Sequence, residues 1–171
     1  MTHHATDHQF DLNQFLPYRL NRVADQISEQ LAHLYETSYS LTIAQWRVLA
    51  WLNQCEVLTA KQIREATRMD KARVSRAVQS LVERELISRS PDSQDQRAHP
   101  LRLTATGQAL LAKLLPEAEA WEADLLTVLS NDERAALINA MAKLERAFAS
   151  STPPAPCGND GIAELNPANG R

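Results

Sequence analysis

The stretch from Thr59 to Glu85, TAKQIREATRMDKARVSRAVQSLVERE, constrains this chain more than any other. Thr59 followed by Gln62 is a capping-box signature, in which the hydroxyl accepts from an early backbone N–H while the long side chain reaches back. The helix it starts is barely two turns, with Ile63 and Ala66 inward, and it stops near TRMD. Asp70 then caps a second helix, whose Val74, Ala77, Val78 and Leu81 recur at the three-and-four spacing of one buried face. Two short helices joined by a four-residue turn are the geometry of a helix-turn-helix.

Beyond the second helix the chain reads ISRSPDSQDQRAHPLRLT, residues 87–104. Its outer runs, Leu86–Arg89 and Leu101–Leu103, are short and alternate in polarity, as half-buried strands do. Pro91 and Pro100 stand at their inner ends and confine them. The insert is too long and too charged for a minimal turn, and it carries Arg97 outward. A hairpin placed so, after a helix-turn-helix, is a wing.

Longer helices flank this unit. From Pro17 to about Ser38, Leu20, Val23, Ile27, Leu31 and Leu34 paint one stripe, and Pro17 suits the first turn, where its missing N–H is no loss. Capping boxes recur at Thr42 with Gln45 and at Ser130 with Glu133. The helix from Thr42 is expected to bury Ile43, Trp46, Val48, Leu49 and Leu52. A helix from Thr104 to about Leu129 carries Leu110, Leu111, Leu114, Leu115, Trp121, Leu125 and Leu126, with a kink expected at Pro116. The last, from Ser130 to about Ala149, shows Leu137, Ile138, Met141, Leu144 and Phe148 on one side. The terminal helices hold more apolar stripe than a small winged core can cover, which argues for a partner subunit. The expected fold is mainly α with a small β-wing: a winged helix-turn-helix over about 42–104, with N- and C-terminal dimerisation helices over about 12–38 and 104–149. Residues 1–11 read as a flexible N-terminus. Residues 150–171 hold four of the eight prolines and three of the four glycines, the composition of a disordered tail.

The net charge of −3 is unevenly spread. Residues 61–104 carry ten Lys/Arg against six Asp/Glu, so that segment is +4 and the remainder is −7. A polyanion docking on one face responds to the local field rather than to the total. No apolar run reaches the roughly 18 residues needed to span a bilayer, and MTHHATDHQFDLNQF lacks the basic start and apolar stretch of a leader, so a cytoplasmic location is expected. Cys55 and Cys157 are too far apart in sequence for a disulfide framework or a zinc site, so reduced thiols are expected.

Burying Val74, Ala77, Val78 and Leu81 leaves Arg73, Ser75, Arg76 and Gln79 near the surface, with Lys71 at the open N-terminal end. A recognition helix reads base edges from its N-terminal half, and arginine on a guanine edge is the commonest specific contact. Arg73 and Arg76 are therefore candidates for base or phosphate contact, and Lys71 and Ser75 for phosphate or mixed contact. A basic helix face alone is ordinary solvated surface; the capped helix before it and the wing after it point to DNA.

Residues 42–104 resemble the winged helix-turn-helix of the MarR family of bacterial transcriptional regulators. DSQDQRAHPLRLTATG is similar to that family's D-x-R wing hallmark followed by L-T-x-x-G, and ARVSRAVQSLVERELISR strengthens the resemblance, which covers about residues 12–149. It implies a homodimer whose terminal helices interlock while wing and recognition helix straddle a pseudo-palindromic operator. It also implies that Asp95 and Arg97 are the wing pair, with the arginine in the minor groove. A narrow groove has an enhanced negative potential that draws an arginine, and a nearby carboxylate can hold the guanidinium. His99 is read as a bystander.

The resemblance further implies an effector, a small aromatic or phenolic molecule held between the dimerisation helices and the DNA-binding lobe. Tyr18, Arg19, Arg22 and Trp46 are candidate lining, with His33, Tyr39 and Trp51 behind them; arginine beside aromatics suits a carboxylate or phosphate on an aromatic body. The run FLPYRLNRVADQIS also resembles a subgroup that represses hydroxycinnamate catabolism and responds to aromatic acyl-CoA thioesters. The function implied is that of a dimeric repressor of a catabolic or efflux operon, released by an aromatic acid or its CoA thioester. Thiol sensing is disfavoured because Cys55 has Glu56 beside it rather than a cation. The alternative is a winged-helix protein-interaction module, since fold alone does not fix function. The chain shows no glycine-rich phosphate loop, metal-spaced cluster or nucleophile–base pair, so no enzyme, cofactor or metal is expected.

Overall fold

The computed structural model describes residues 10–90 and 99–148. The wing tip with Pro91, Asp95 and Arg97, the first nine residues and the C-terminal tail lie outside the described residues. Within them run α1 (Leu16–Tyr39), α2 (Ile43–Cys55), α3 (Ala60–Thr67), α4 (Lys71–Glu83), β1 (Ile87–Arg89), β2 (Leu101–Leu103), α5 (Ala105–Leu125) and α6 (Asn131–Phe148). The fold is mainly helical with one small antiparallel β-wing.

Local chemistry sets the starts. Pro17 occupies the first turn of α1. In α2 the Gln45 side chain accepts from the Thr42 N–H at 2.8 Å while Thr42 Oγ1 accepts from the Gln45 N–H. The same reciprocal pair joins Thr59 to Gln62 in α3 and Ser130 to Glu133 in α6. Those bonds from Ser130, the backbone N–H first and then the hydroxyl, hold the Glu133 carboxyl below its ordinary range. Asp70 accepts from the Arg73 N–H at 2.8 Å and starts α4. Thr67 belongs to α3 rather than to the turn, its hydroxyl donating to the Ile63 carbonyl at 2.7 Å, so only Arg68, Met69 and Asp70 link the two helices. Arg68 makes the bend with a positive φ of 54°.

α2 lies at the centre, against α1, α3, α4, α5 and β2. Its buried face is Ala44, Gln45, Val48, Leu49 and Leu52, while Ile43 and Trp46 are half-buried. Gln45 is accommodated because its Nε2 donates to Ser80 Oγ on α4 at 2.8 Å, so its amide is satisfied on both sides. The core closes with Tyr35 at the end of α1, Ile63, the buried row of α4, and Leu111 and Leu114 of α5. α5 continues through Pro116 without interruption. Cys55 ends α2 and is half-buried.

The outer helices are only partly used. Leu16, Leu20, Val23 and Ile27 of α1 are exposed, and the buried residues of that helix, Ala32 and Tyr35, belong to its last turns. No residue of α6 is buried, and Leu137, Ile138, Met141, Leu144 and Phe148 all face outward.

Candidate nucleic-acid interface

α4 divides its residues cleanly: Val74, Ala77, Val78 and Leu81 are buried, whereas Lys71, Arg73, Ser75, Arg76 and Gln79 are exposed. Arg73 and Arg76, three residues apart, share one side of the helix. They line an open cleft of about 370 Å³ with Ala77 and with Thr42, Ala44 and Gln45 at the start of α2. Two guanidiniums thus meet the N-terminal end of α2, where the helix dipole is positive, an arrangement suited to phosphate oxygens. Lys71 and Ser75, four residues apart, extend the same exposed surface along the first turns of α4.

The wing root is firmly built. β1 and β2 pair antiparallel in the register Ile87↔Leu103, Ser88↔Arg102, Arg89↔Leu101. Leu101 also exchanges both backbone bonds with Leu58, at 2.8 and 3.2 Å, which ties the hairpin to the segment before α3. Ile87 and Leu101 are buried, and Ser88 and Arg102 are exposed on the other face. The hairpin continues past the strands, the Ser90 N–H donating to the Pro100 carbonyl at 3.1 Å. Arg89 and Arg102 add exposed cations that the reading of motifs passed over, although strand alternation alone puts Arg102 outward. His99 is exposed at the wing.

The effector candidates are not gathered within one chain. Tyr18, Arg19 and Arg22 are exposed in the first two turns of α1. Trp46 stacks on buried Tyr35, with ring centroids 5.7 Å apart and planes 20° apart. At about 1.5 Å per residue, Tyr18 lies some 25 Å along α1 from Tyr35. Burial raises the Tyr35 phenol above its usual value, Arg47 opposes that shift and Glu36 adds to it. Of the others, His33 is exposed and Trp51 half-buried. The Tyr39 hydroxyl donates to Glu117 Oε1 on α5 at 2.9 Å. Lost hydration, that bond and the carboxylate's charge push its pKa up. Among the described residues no cluster of three or more His, Cys, Asp or Glu could hold a metal, and no helix is long and apolar enough to cross a membrane.

Comparison with known proteins agrees with this geometry. A model of the MarR family matches residues 39–98. The HTH-type transcriptional regulator TcaR of Staphylococcus aureus is 31% identical over 134 residues, covering 77% of this chain and 82% of that protein. The HTH-type transcriptional repressor NicR of Pseudomonas putida is 27% identical, covering 73% and 88%. Among solved structures, Bordetella bronchiseptica BpsR, studied for regulation of its DNA binding by 6-hydroxynicotinic acid, superposes with a TM-score of 0.63 at 25% identity, over 74% of this chain and 98% of that one. Such relatives are regulators and not enzymes. With its capped helix-turn-helix, paired wing strands and these relatives, the chain belongs to the MarR family of transcriptional regulators.

Proposed function

We propose that the protein is a cytoplasmic, homodimeric repressor that binds a pseudo-palindromic operator and leaves it when a small aromatic acid, or its CoA thioester, binds. The observation that carries this reading is the exposed row Lys71, Arg73, Ser75 and Arg76 beside the positive end of α2. In it, Arg73 and Arg76 contact bases and phosphates of the major groove, and Lys71 and Ser75 grip the backbone. Asp95 and Arg97, outside the described residues, complete it as the wing pair at the minor groove.

The dimer is supported by the apolar faces of α1 and α6, which are exposed among the described residues. A two-fold axis through them gives two equivalent recognition helices, as a palindrome requires. Release by an effector is supported by BpsR, whose DNA binding responds to 6-hydroxynicotinic acid, and repression by the name of NicR. Because Tyr18, Arg19 and Arg22 stand far from Trp46 within one chain, such a site draws these residues from both copies.

The test is binding to the DNA just upstream of the protein's own gene across a range of salt concentrations. A specific dimer gives a steep fall of affinity with salt and a footprint of two half-sites about one helical turn apart. Equal affinity for scrambled DNA, or a flat salt dependence, would overturn the proposal and favour a winged-helix protein-interaction module. Thermal-shift screening of aromatic acids and their CoA esters then identifies the effector, since a ligand of the folded state raises its apparent stability.

A further inference from the structure

The far end of the recognition helix is fastened to α1. Arg84 closes α4, its backbone N–H donating to the Ser80 carbonyl at 3.1 Å. Its guanidinium then crosses to the end of α1, where Nη1 donates to the Ser40 carbonyl at 2.8 Å and Nη2 to the Tyr39 carbonyl at 2.9 Å. These are end groups: Ser40 is left-handed with φ 51°, and the N–H groups of Ser40 and Leu41 already fold back onto Glu36 and Tyr35. Carbonyls at a helix C-terminus carry its negative partial charge, so a forked cation is the fitting partner. Tyr39 is bound a second time, through its hydroxyl to Glu117 on α5. One residue thus joins α4, α1 and α5.

We infer that Arg84 is a positioning residue which fixes the tilt of the recognition helix to the two long helices, so that a shift of α1 or α5 is passed to α4. The inference rests on the dimeric DNA-binding function proposed for the protein, and it assigns Arg84 a part that needs no contact with DNA. Both guanidinium nitrogens that form the fork are engaged by α1, at the end of α4 opposite Lys71. A cation used in this way adds to specificity by holding geometry, not by neutralising phosphate.

The experiment compares the wild type, Arg84→Ala and Arg84→Lys for binding to the upstream operator and to scrambled DNA across salt concentrations, with dimerisation followed by sedimentation. Arg84→Ala is expected to lower operator affinity about tenfold, with scrambled-DNA affinity, salt slope and dimer unchanged. Arg84→Lys keeps one charge-assisted donor and recovers part of the loss. Unchanged operator affinity in Arg84→Ala overturns the inference, as does no recovery in Arg84→Lys. A salt slope smaller by about one makes Arg84 a phosphate contact and overturns it too. A wild type that fails to discriminate operator from scrambled DNA removes the DNA-binding reading itself, and this inference with it.

Discussion

Gly107 lies so close to the main chain of Leu86 that a Cβ added to it would collide with the Leu86 carbonyl oxygen. That oxygen is pinned, because it accepts from the Thr104 N–H at 3.1 Å. Thr104 Oγ1 in turn donates to the Glu85 carbonyl at 2.6 Å and accepts from the Gly107 N–H at 3.0 Å. LTATG is therefore a clasp that fixes the start of α5 against the end of α4. Gly107→Ala should destabilise the fold by about 2–3 kcal/mol, the upper part of the range for an overpacked site, because the obstructing atom is backbone. Urea unfolding reads this as a lower midpoint at unchanged slope.

Glu85 presents the opposite case. It holds φ at 55°, just past the end of α4, where the Leu86 N–H turns back to the Leu81 carbonyl at 2.9 Å. Left-handed backbone suits glycine, not a branched-chain or long residue. Relief of left-handed strain, about 1–2 kcal/mol, outweighs the about 0.4–1 kcal/mol of extra unfolded-state entropy that glycine brings, so Glu85→Gly should raise stability by roughly 0.5–1 kcal/mol, measured by the same urea titration, with DNA binding kept.

Lys71 and Arg76 should fail differently on DNA. Lys71→Ala is expected to weaken binding to all sequences alike and to reduce the salt slope by about one. Arg76→Ala should cost about 1–3 kcal/mol of discrimination at one base pair. Fluorescence anisotropy over a panel of single-base operator variants separates the two patterns.

Met141 is 51% exposed midway along the uncovered face of α6. Met141→Glu should weaken dimerisation by about 3–5 kcal/mol, the penalty of an uncompensated charge buried at an interface. Sedimentation that still shows a dimer at low micromolar protein would exclude this face from the interface.

The Tyr39 phenol is held above its ordinary 10.0, so the protonated form is favoured in the fold. Its contribution is complete below 10.0 and is lost as pH rises through the higher folded value. Stability should therefore drop on the alkaline side of pH 10 less steeply in Tyr39→Phe than in the wild type. Urea midpoints taken on both sides of that pH test it.

Much of the fold was legible because its signals are local. A capping box spans three residues, and all three boxes form as read. The periodic row Val74, Ala77, Val78 and Leu81 is buried as a row because one helix face must meet the core. Legibility failed where a distant partner decides. Gln45 is buried ahead of Ile43 because Ser80, thirty-five positions on, takes its amide. The fork of Arg84 closes on carbonyls forty-four and forty-five positions away, and no pattern in α4 foretells it. Left-handed backbone at Glu85 gives no composition signal, since no glycine marks it. Within one chain the length of α1 separates Tyr18 from Trp46, a spacing that their chemistry alone does not give.

The bare face of α6 carries a consequence for how this molecule is studied. None of the 18 residues of α6 is buried, and most helical stability in proteins comes from packing of an amphipathic face. In the proposed dimer its helicity is governed by mass action: dilution should melt it and concentration restore it, so the circular-dichroism signal of the last helix would gauge subunit association.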